Sequence, residues 1–424
     1  KNKSNTNKPE SIAVIDNGMG MPVEIVDGKE KDYLHTACKI GGTHRASANK
    51  PLKRKGYGRF GHGLPKSSIS QTRSFTVYTR TENDKSWRAL KVDIDQLIKD
   101  KTTNLPEVEK IEVLPDYIQD CWDKNFSNEV SGTIVAWNAL DRMTWKTDVA
   151  LQDNLGWRIA MSYWRNIKAG LQISLLGRII KPIDPLFIDK NCQHVEKCIS
   201  KIDGQSFTNE IQAIEYQSWK WPFEVNSEGK TVTIEADVRL SRFPANFGSK
   251  NPEQNPAGKN RSIRQKIMQE HNGILIYRQG RYIDCLRHIP SEASSSRVFK
   301  PYDSNYKVEI NFPSSLDEAF GISTNKQYVN LPYSTVNNKS WDRLMKECTT
   351  LYNDVEDAFA DRKLEQLKNA NAAVQAIDEA DKVLTRPGGN PDQEHKKQRL
   401  EELASKNLEK VINLEVERRK KSLN

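Results

Sequence analysis

The stretch SIAVIDNGMGMP, residues 11–22, joins a short apolar run to a glycine-rich turn. The run predicts a strand that ends at Asp16. An aspartate at the end of a buried strand can accept a hydrogen bond from the exocyclic amine of a purine. Gly18 and Gly20 let the backbone turn sharply and approach a flat ligand, and Met21 offers a soft apolar surface to a ring. The stretch therefore predicts a site for a base.

A second glycine-rich stretch, GRFGHG at residues 58–63, precedes LPKSSIS, where a helix is predicted to begin. Backbone N–H groups at the start of a helix favour an anion, and the helix dipole adds to this. A nucleotide would then lie with its base at the first stretch and its phosphates at the second. On its own, GxxGxG also occurs in ordinary loops and in dinucleotide sites, but the following βαβ context and the GxxxxGK[ST] pattern are absent.

Positive charge is concentrated around the second stretch. Ten Lys or Arg and no Asp or Glu lie between residues 33 and 81, within a chain whose net charge is +9. Such a segment suits a polyphosphate. A solvated basic face and a nucleic-acid patch are the alternative interpretations.

The composition bounds the class of protein. The chain has 424 residues, a length that predicts two to three domains. Hydrophobic residues make up 36 % of it. No apolar run approaches the roughly 18 residues of a membrane span, and the N-terminus does not resemble a signal peptide. Six cysteines without a CxxC pair argue against a zinc site or a disulfide framework. A cytoplasmic, intracellular protein is expected.

Three motifs in order resemble those of the GHKL ATPases, the superfamily of gyrase, the heat-shock chaperones, histidine kinases, MutL and MORC proteins. VIDNGMGMP is similar to the adenine motif, GYGRFGHGLPKSSIS to the ATP-lid motif in its MORC form, and SGTIVAW to the third element. The resemblance implies ATP and Mg²⁺ as cofactors, without assigning a metal ligand. It also implies nucleotide contacts by the residues Asp16, Gly18, Gly20, Met21, Gly58, Gly61, His62, Gly63, Leu64 and Thr133. His62 is expected to contribute its backbone N–H rather than its ring.

The resemblance continues beyond the first domain. PIDPLF, YRQGRYI and NFPSSLDEAFGISTNKQ look like phrases of bacterial stand-alone MORC-like ATPases. The implied fold is α+β: a Bergerat-type α/β sandwich over 1–150, a ββαβ-type transducer over 151–335 and a helical extension over 336–424. Lys326 matches a catalytic lysine that the transducer sends to the γ-phosphate of a neighbouring subunit, where a cation stabilises developing charge. The alternative is a surface lysine. The helical extension either packs on a partner or lies on its own domain.

One departure from the family concerns hydrolysis. GHKL enzymes carry a water-activating Glu and a Mg²⁺-binding Asn on a helix before the adenine strand, and residues 1–15 do not supply that helix. We expect that a longer N-terminus is omitted from this sequence. The alternative is a protein that binds ATP without hydrolysing it, including a scaffold.

The leading functional hypothesis is a Mg²⁺-dependent ATPase that acts as a nucleotide-gated homodimeric clamp on double-stranded DNA. The MORC-like resemblance further implies a nuclease or other partner protein and defence against foreign DNA. A protein-remodelling chaperone is the alternative, because it shares the same ATP site. A histidine kinase is set aside, since its phosphoacceptor hairpin would precede the ATP domain.

Overall fold

The computed structural model describes most of the first 361 residues. The described ranges are 9–42, 61–193, 213–227, 229–243, 263–288, 298–322, 328–336, 338–358 and 360–361. Gly58, Lys326 and residues 362–424 of the predicted helical extension lie outside them.

The N-terminal part is built on a five-stranded antiparallel sheet in the order β1-β7-β4-β5-β6. In chain order its elements are β1 (Ser11–Asp16), β2 (Val23–Val26), β3 (Lys29–Asp32), α1 (Tyr33–Cys38), α2 (Gly63–Ile69), β4 (Ser74–Arg80), β5 (Trp87–Asp93), α3 (Ile94–Lys99), β6 (Glu109–Ile111), α4 (Asp116–Phe126) and β7 (Gly132–Asn138). The strand predicted to end at Asp16 is confirmed. The sequences of 74–81, 87–94 and 131–140 also predict strands, and β4, β5 and β7 confirm them within two residues.

Alternating side chains of the sheet bury two apolar clusters, one on each face, as the period of two requires. One face packs against α4 through Tyr78, Ile134 and Trp122. The other face packs against α1 and against Met21 and Leu64, the residues that follow the two glycine-rich turns. The residues that follow the two glycine-rich stretches therefore lie on the same face of the sheet.

The stretch from Lys99 to Asn128 is polar, so its sequence predicts irregular structure, and that prediction is wrong. It contains β6 and the eleven-residue helix α4. Helix α4 buries few side chains, Ile118 and Trp122 among them, so its sequence remains largely polar. The edge contact of Trp122 with Trp87, at 4.9 Å between ring centroids, attaches the helix to the sheet.

A second five-stranded sheet follows, in the order β10-β11-β14-β12-β13, with β12 parallel to β14 and the other pairs antiparallel. Its part of the chain comprises α5 (Asp148–Ser162), α6 (Trp164–Lys168), β8 (Ser174–Leu175), β9 (Arg178–Ile179), β10 (Ile214–Ser227), β11 (Lys230–Arg242), α7 (Ile263–Glu270), β12 (Ile274–Arg278), β13 (Arg281–Leu286), β14 (Tyr306–Phe312) and α8 (Tyr333–Val336). From β10 onward the described strands and α-helices follow the order ββαβ, with two more strands, β13 and β14, after it.

Helices cover both faces of this second sheet. Trp157, Met161 and Trp164 of α5 and α6 pack on one face. A helix at 339–358 packs on the other through Trp341, Leu344 and Cys348, against Trp221 of β10. The molecule is therefore a mixed α+β fold, as the sequence predicted, and the helical character expected after residue 340 is present as far as residue 358.

Candidate nucleotide site

Asp16 is the last residue of β1 and lies where one set of strand ends of the N-terminal sheet meets. Its Cα is paired with that of Thr133 on β7, and Thr133 is paired in turn with Thr79 on β4. Asp16 accepts a hydrogen bond from the Gly18 N–H, with a distance of 2.9 Å from nitrogen to Oδ1. Three neighbouring strands therefore bring the Asp16 carboxylate and the residues Thr133 and Thr79, which carry hydroxyls, to the same end of the sheet's strands.

Asp16 remains exposed at the surface, but its surroundings perturb it. Partial burial of the carboxyl raises its pKa, while hydrogen bonds from the backbone N–H groups of Gly18 and Thr133 oppose that rise. The carboxyl is therefore a somewhat better proton acceptor than an ordinary aspartate. It keeps the lone pairs needed to accept an amine N–H.

The glycines after Asp16 are required by their surroundings. Gly20 has φ +72°, and a Cβ there would lie 2.3 Å from the carbonyl oxygen of Arg80. A Cβ at Gly18 would lie 2.7 Å from Oδ1 of Asp16. The turn therefore brings backbone close both to β4 and to the carboxylate, and larger residues would push it away.

The Met21 peptide is held by the two central strands. Its N–H donates to Oγ1 of Thr79 at 2.9 Å, and its carbonyl accepts from the guanidinium of Arg88. Thr79 Oγ1 in turn donates to the carbonyl of Gly132 at 3.2 Å. Sequence reasoning missed Thr79 and Arg88, because only the register between strands places them beside the turn.

The second glycine-rich stretch begins α2. Gly61 has φ +65°, and a Cβ there would lie 2.1 Å from the carbonyl oxygen of Gly42, while the Gly41 N–H donates to the Gly61 carbonyl at 3.0 Å. These contacts join the end of α1 to the start of α2. Pro65 has no N–H, so Gly63 and Leu64 are the donors of the first helical turn after the cap residue His62.

His62 lies at the cap position, and its side chain makes no capping hydrogen bond. Its ring atom Nδ1 is buried and has no partner among the residues that the structure describes. A hydrogen bond from Trp137 Nε1 to Ser68 Oγ, at 3.0 Å, ties α2 to β7. The structure thus places Gly61, His62, Gly63 and Leu64 on the face that also carries Met21.

The N-terminal part of the chain matches a known family. Residues 2–127 match the sequence profile described as histidine kinase-, DNA gyrase B-, and HSP90-like ATPase. This part of the chain is a GHKL-type ATPase domain. The match ends before β7, so the position of Thr133 beside Asp16 in the GHKL domain rests on the strand register alone.

Solved structures with some likeness to most of the chain include parts of DNA topoisomerase II and of a DNA repair protein. The ATPase and transducer domains of DNA topoisomerase II from Balamuthia mandrillaris share 13 % identity over 84 % of this chain and 77 % of that chain, with a TM-score of 0.38. The ATPase region of Saccharomyces cerevisiae topoisomerase II shares 12 % over 82 % and 77 %, with a TM-score of 0.41. The N-terminal domain of a DNA repair protein shares 14 % over 82 % and 86 %, with a TM-score of 0.34.

Likenesses as distant as these carry no conclusion about this chain. No curated protein matched it in a sequence search.

The residues of the GHKL domain fit ATP better than they fit a metal. Asp16 offers an acceptor, and the glycine turns leave room for close approach of a ligand. By contrast, no group of three or more His, Cys, Asp or Glu side chains among the described residues is placed to hold a metal ion.

Two further observations concern the rest of the molecule. None of the described helices is long and apolar enough to cross a membrane. The tryptophans 219 and 221, interpreted as packing residues, are confirmed as such: Trp221 is buried in the core, and Arg343 stacks on Trp219 at 4.3 Å from the ring centroid.

Proposed function

We propose that the protein binds and hydrolyses ATP with Mg²⁺, and that nucleotide binding closes a homodimeric clamp on double-stranded DNA. One observation carries the proposal: Asp16, Thr133 and the Gly18–Gly20 turn lie together at one end of the sheet's strands. Asp16 and the turn lie in the part of the chain that matches the GHKL-type ATPases. Asp16 would accept the adenine amine, and the segment from Gly58 to Leu64 would donate N–H groups to the phosphates.

The proposal divides the chain into a nucleotide-binding domain over 1–150, a transducer over 151–335 and a helical extension over 336–424. Lys326 would stabilise charge on the γ-phosphate of the neighbouring subunit. Ordering of the lid by the nucleotide would pair two ATP domains, which is a switch driven by ligand contacts.

Charge supports a nucleic-acid partner. The run of ten basic residues without an acidic one between 33 and 81 provides more positive charge than a triphosphate alone requires. Contacts with several DNA phosphates would release counterions, so affinity should fall by orders of magnitude between about 50 and 200 mM salt. An intracellular setting, which the composition favours, completes the proposal together with a nuclease or other partner protein and a role in defence against foreign DNA. The partner and the defence role rest on the MORC-like phrases.

Light scattering tests the clamp directly. The full chain is measured with Mg²⁺, with and without a non-hydrolysable ATP analogue, and with and without circular duplex DNA. The clamp predicts dimerisation by the analogue and retention of DNA at high salt only when the analogue is present. Dimerisation and turnover indifferent to DNA but stimulated by an unfolded client protein would instead support the chaperone-type alternative.

A further inference from the structure

Met21 is the last residue of the glycine turn after Asp16, and buried side chains hold both its backbone N–H and its carbonyl. Thr79 accepts its N–H and Arg88 donates to its carbonyl. Thr79 has no exposed surface and Arg88 is only 5 % exposed. Buried, hydrogen-bonded side chains have few alternative rotamers, so Thr79 of β4 and Arg88 of β5 hold the turn in one position.

Arg88 does more than hold one carbonyl. Its Nη1 lies 2.8 Å from each carboxylate oxygen of Asp32, the residue that caps α1 by accepting the Leu34 N–H at 2.8 Å. Its Nη2 lies 3.6 Å from Asp84 in the turn between β4 and β5. The Arg88 guanidinium therefore joins three segments: the Asn17–Met21 turn, the start of α1, and the turn between β4 and β5.

The charges around Arg88 favour this arrangement at neutral pH. Burial raises the pKa of Asp84, but hydrogen bonds from Thr81 and the charge of Arg88 outweigh it, so the pKa is lowered overall. A buried cation with two carboxylates and a carbonyl is well compensated. A planar fork of donors can reach such separate acceptors at once, whereas a lysine ammonium cannot.

We propose that Arg88 is a positioning residue of the base site: by holding the Met21 carbonyl and Asp32 together, it sets the Asn17–Met21 turn at the distance from Asp16 that a purine needs. This inference rests on the proposed nucleotide function. Arg88 acts through Met21 and would itself touch no ligand, so its loss should affect recognition of the base and spare recognition of the phosphates.

The test compares two probes on three proteins. Dissociation constants for a non-hydrolysable ATP analogue and for inorganic tripolyphosphate are measured by calorimetry on the wild type, on Arg88→Lys and on Arg242→Lys. Arg242 is the control arginine, because it lies in β11 of the second sheet and forms a partly exposed ion pair with Asp354 at 3.6 Å. The inference predicts about a tenfold or greater loss of analogue affinity in Arg88→Lys, unchanged tripolyphosphate affinity, and no change in Arg242→Lys.

Three outcomes overturn the inference. Equal analogue affinity in Arg88→Lys and the wild type would remove the positioning role. Equal loss of both probes would show general damage to the fold instead. A wild type that binds neither probe would contradict the proposed nucleotide function itself, and the positioning role with it.

A second variant keeps the test decisive if Arg88→Lys does not fold. Asp32→Asn retains the hydrogen bond from Arg88 to Met21 and weakens only the ion pair that orients the guanidinium. It should lower analogue affinity several-fold without changing tripolyphosphate affinity, and it should speed hydrogen exchange at the Met21 amide. Unchanged affinity and exchange in a folded Asp32→Asn would contradict the inference.

Discussion

Asp16 and Thr133 are direct partners in the antiparallel ladder between β1 and β7, and the Thr133 backbone N–H also helps to keep the Asp16 carboxyl ionised. The pairing explains how two motifs more than a hundred residues apart form one site. The surroundings of the Asp16 carboxyl therefore depend on the strand register as much as on the motif that contains Asp16. A slip of one residue would turn Asp16 to the opposite face of the sheet.

Gly20→Ala should reduce the free energy of unfolding by about 3 kcal/mol or more. The residue would be held at φ +72°, and its Cβ would meet the Arg80 carbonyl at 2.3 Å. Gly28→Ala is the control, because Gly28 has φ +73° and no atom within 4 Å of an added Cβ. It should cost only the backbone strain, about 1 kcal/mol. Chemical denaturation of both variants measures the difference, and equal losses would show that the Arg80 contact does not constrain the turn.

Acid should destabilise the second sheet through His271. Burial, together with the nearby charges of Lys307, Arg158 and Arg287, lowers the pKa of this histidine to about 3. Between that value and the ordinary 6.5, the unfolded chain binds a proton that the folded chain does not. The folded state is therefore fully favoured above pH 6.5 and loses stability as pH falls toward 3, by at most about 1.4 kcal/mol per pH unit.

The histidine contribution is isolated by difference. His271→Phe fills a similar space beside Trp157 and Tyr282, whose rings lie 6.0 and 5.3 Å from the His271 centroid. The unfolding free energy of this variant should depend less steeply on pH between 3 and 6.5 than that of the wild type. His288→Asn, at an exposed position, serves as the control. An unchanged slope in His271→Phe would refute the assignment.

Asp317→Ala should be strongly destabilising, by about 3–5 kcal/mol, because it leaves Arg278 buried without its carboxylate. The two side chains are 0 % and 1 % exposed and form two hydrogen bonds, of 2.6 and 3.0 Å. Asp95→Ala, which removes the exposed partner of Arg73, should cost no more than about 1 kcal/mol. Urea denaturation distinguishes the two, and a cost for Asp317→Ala similar to that for Asp95→Ala would argue against a structural role of the buried pair.

Nucleotide affinity should fall on acidification at a higher pH than an unperturbed aspartate would produce. Burial raises the Asp16 pKa, and only the ionised carboxyl keeps every lone pair free to accept the adenine amine. Affinity is thus retained above the raised pKa and lost as pH falls through it. Titration of analogue binding against pH measures the effect, and the same titration on Asp16→Asn should lack this step. An identical profile in the two proteins would mean that another group controls the acid limit.

Local sequence patterns predicted β1, β4, β5 and β7 of the GHKL-type domain, because runs such as 11–16 and 74–80 are rich in the β-branched and aromatic residues that strands favour. They did not predict α4, whose surface is largely polar, or the long strand β10, which contains Pro222. The position of β10 explains that proline: it is an edge strand, where a missing N–H is tolerated.

The site was predictable only in part, for a related reason. Asp16 and the glycines carry their chemistry in a short motif, so they were identified without the structure. Thr79 and Arg88 lie within ordinary strands, and nothing in their local sequence marks them. Their importance comes from the β4–β7 and β4–β5 registers, which bring them to Met21 and Asp32.

Calorimetric binding of a non-hydrolysable ATP analogue to the wild type, Asp16→Asn and Asp95→Asn tests the central claim most directly. Asp95 is an exposed carboxylate in α3, which follows the end of β5 that is farthest from Asp16, so it controls for loss of charge alone. We expect the wild type and Asp95→Asn to bind alike. Asp16→Asn should bind more weakly by about 1.5–3 kcal/mol, the value of a hydrogen bond to a charged group. Equal affinity in all three proteins would contradict the assignment of Asp16 as the adenine-binding residue.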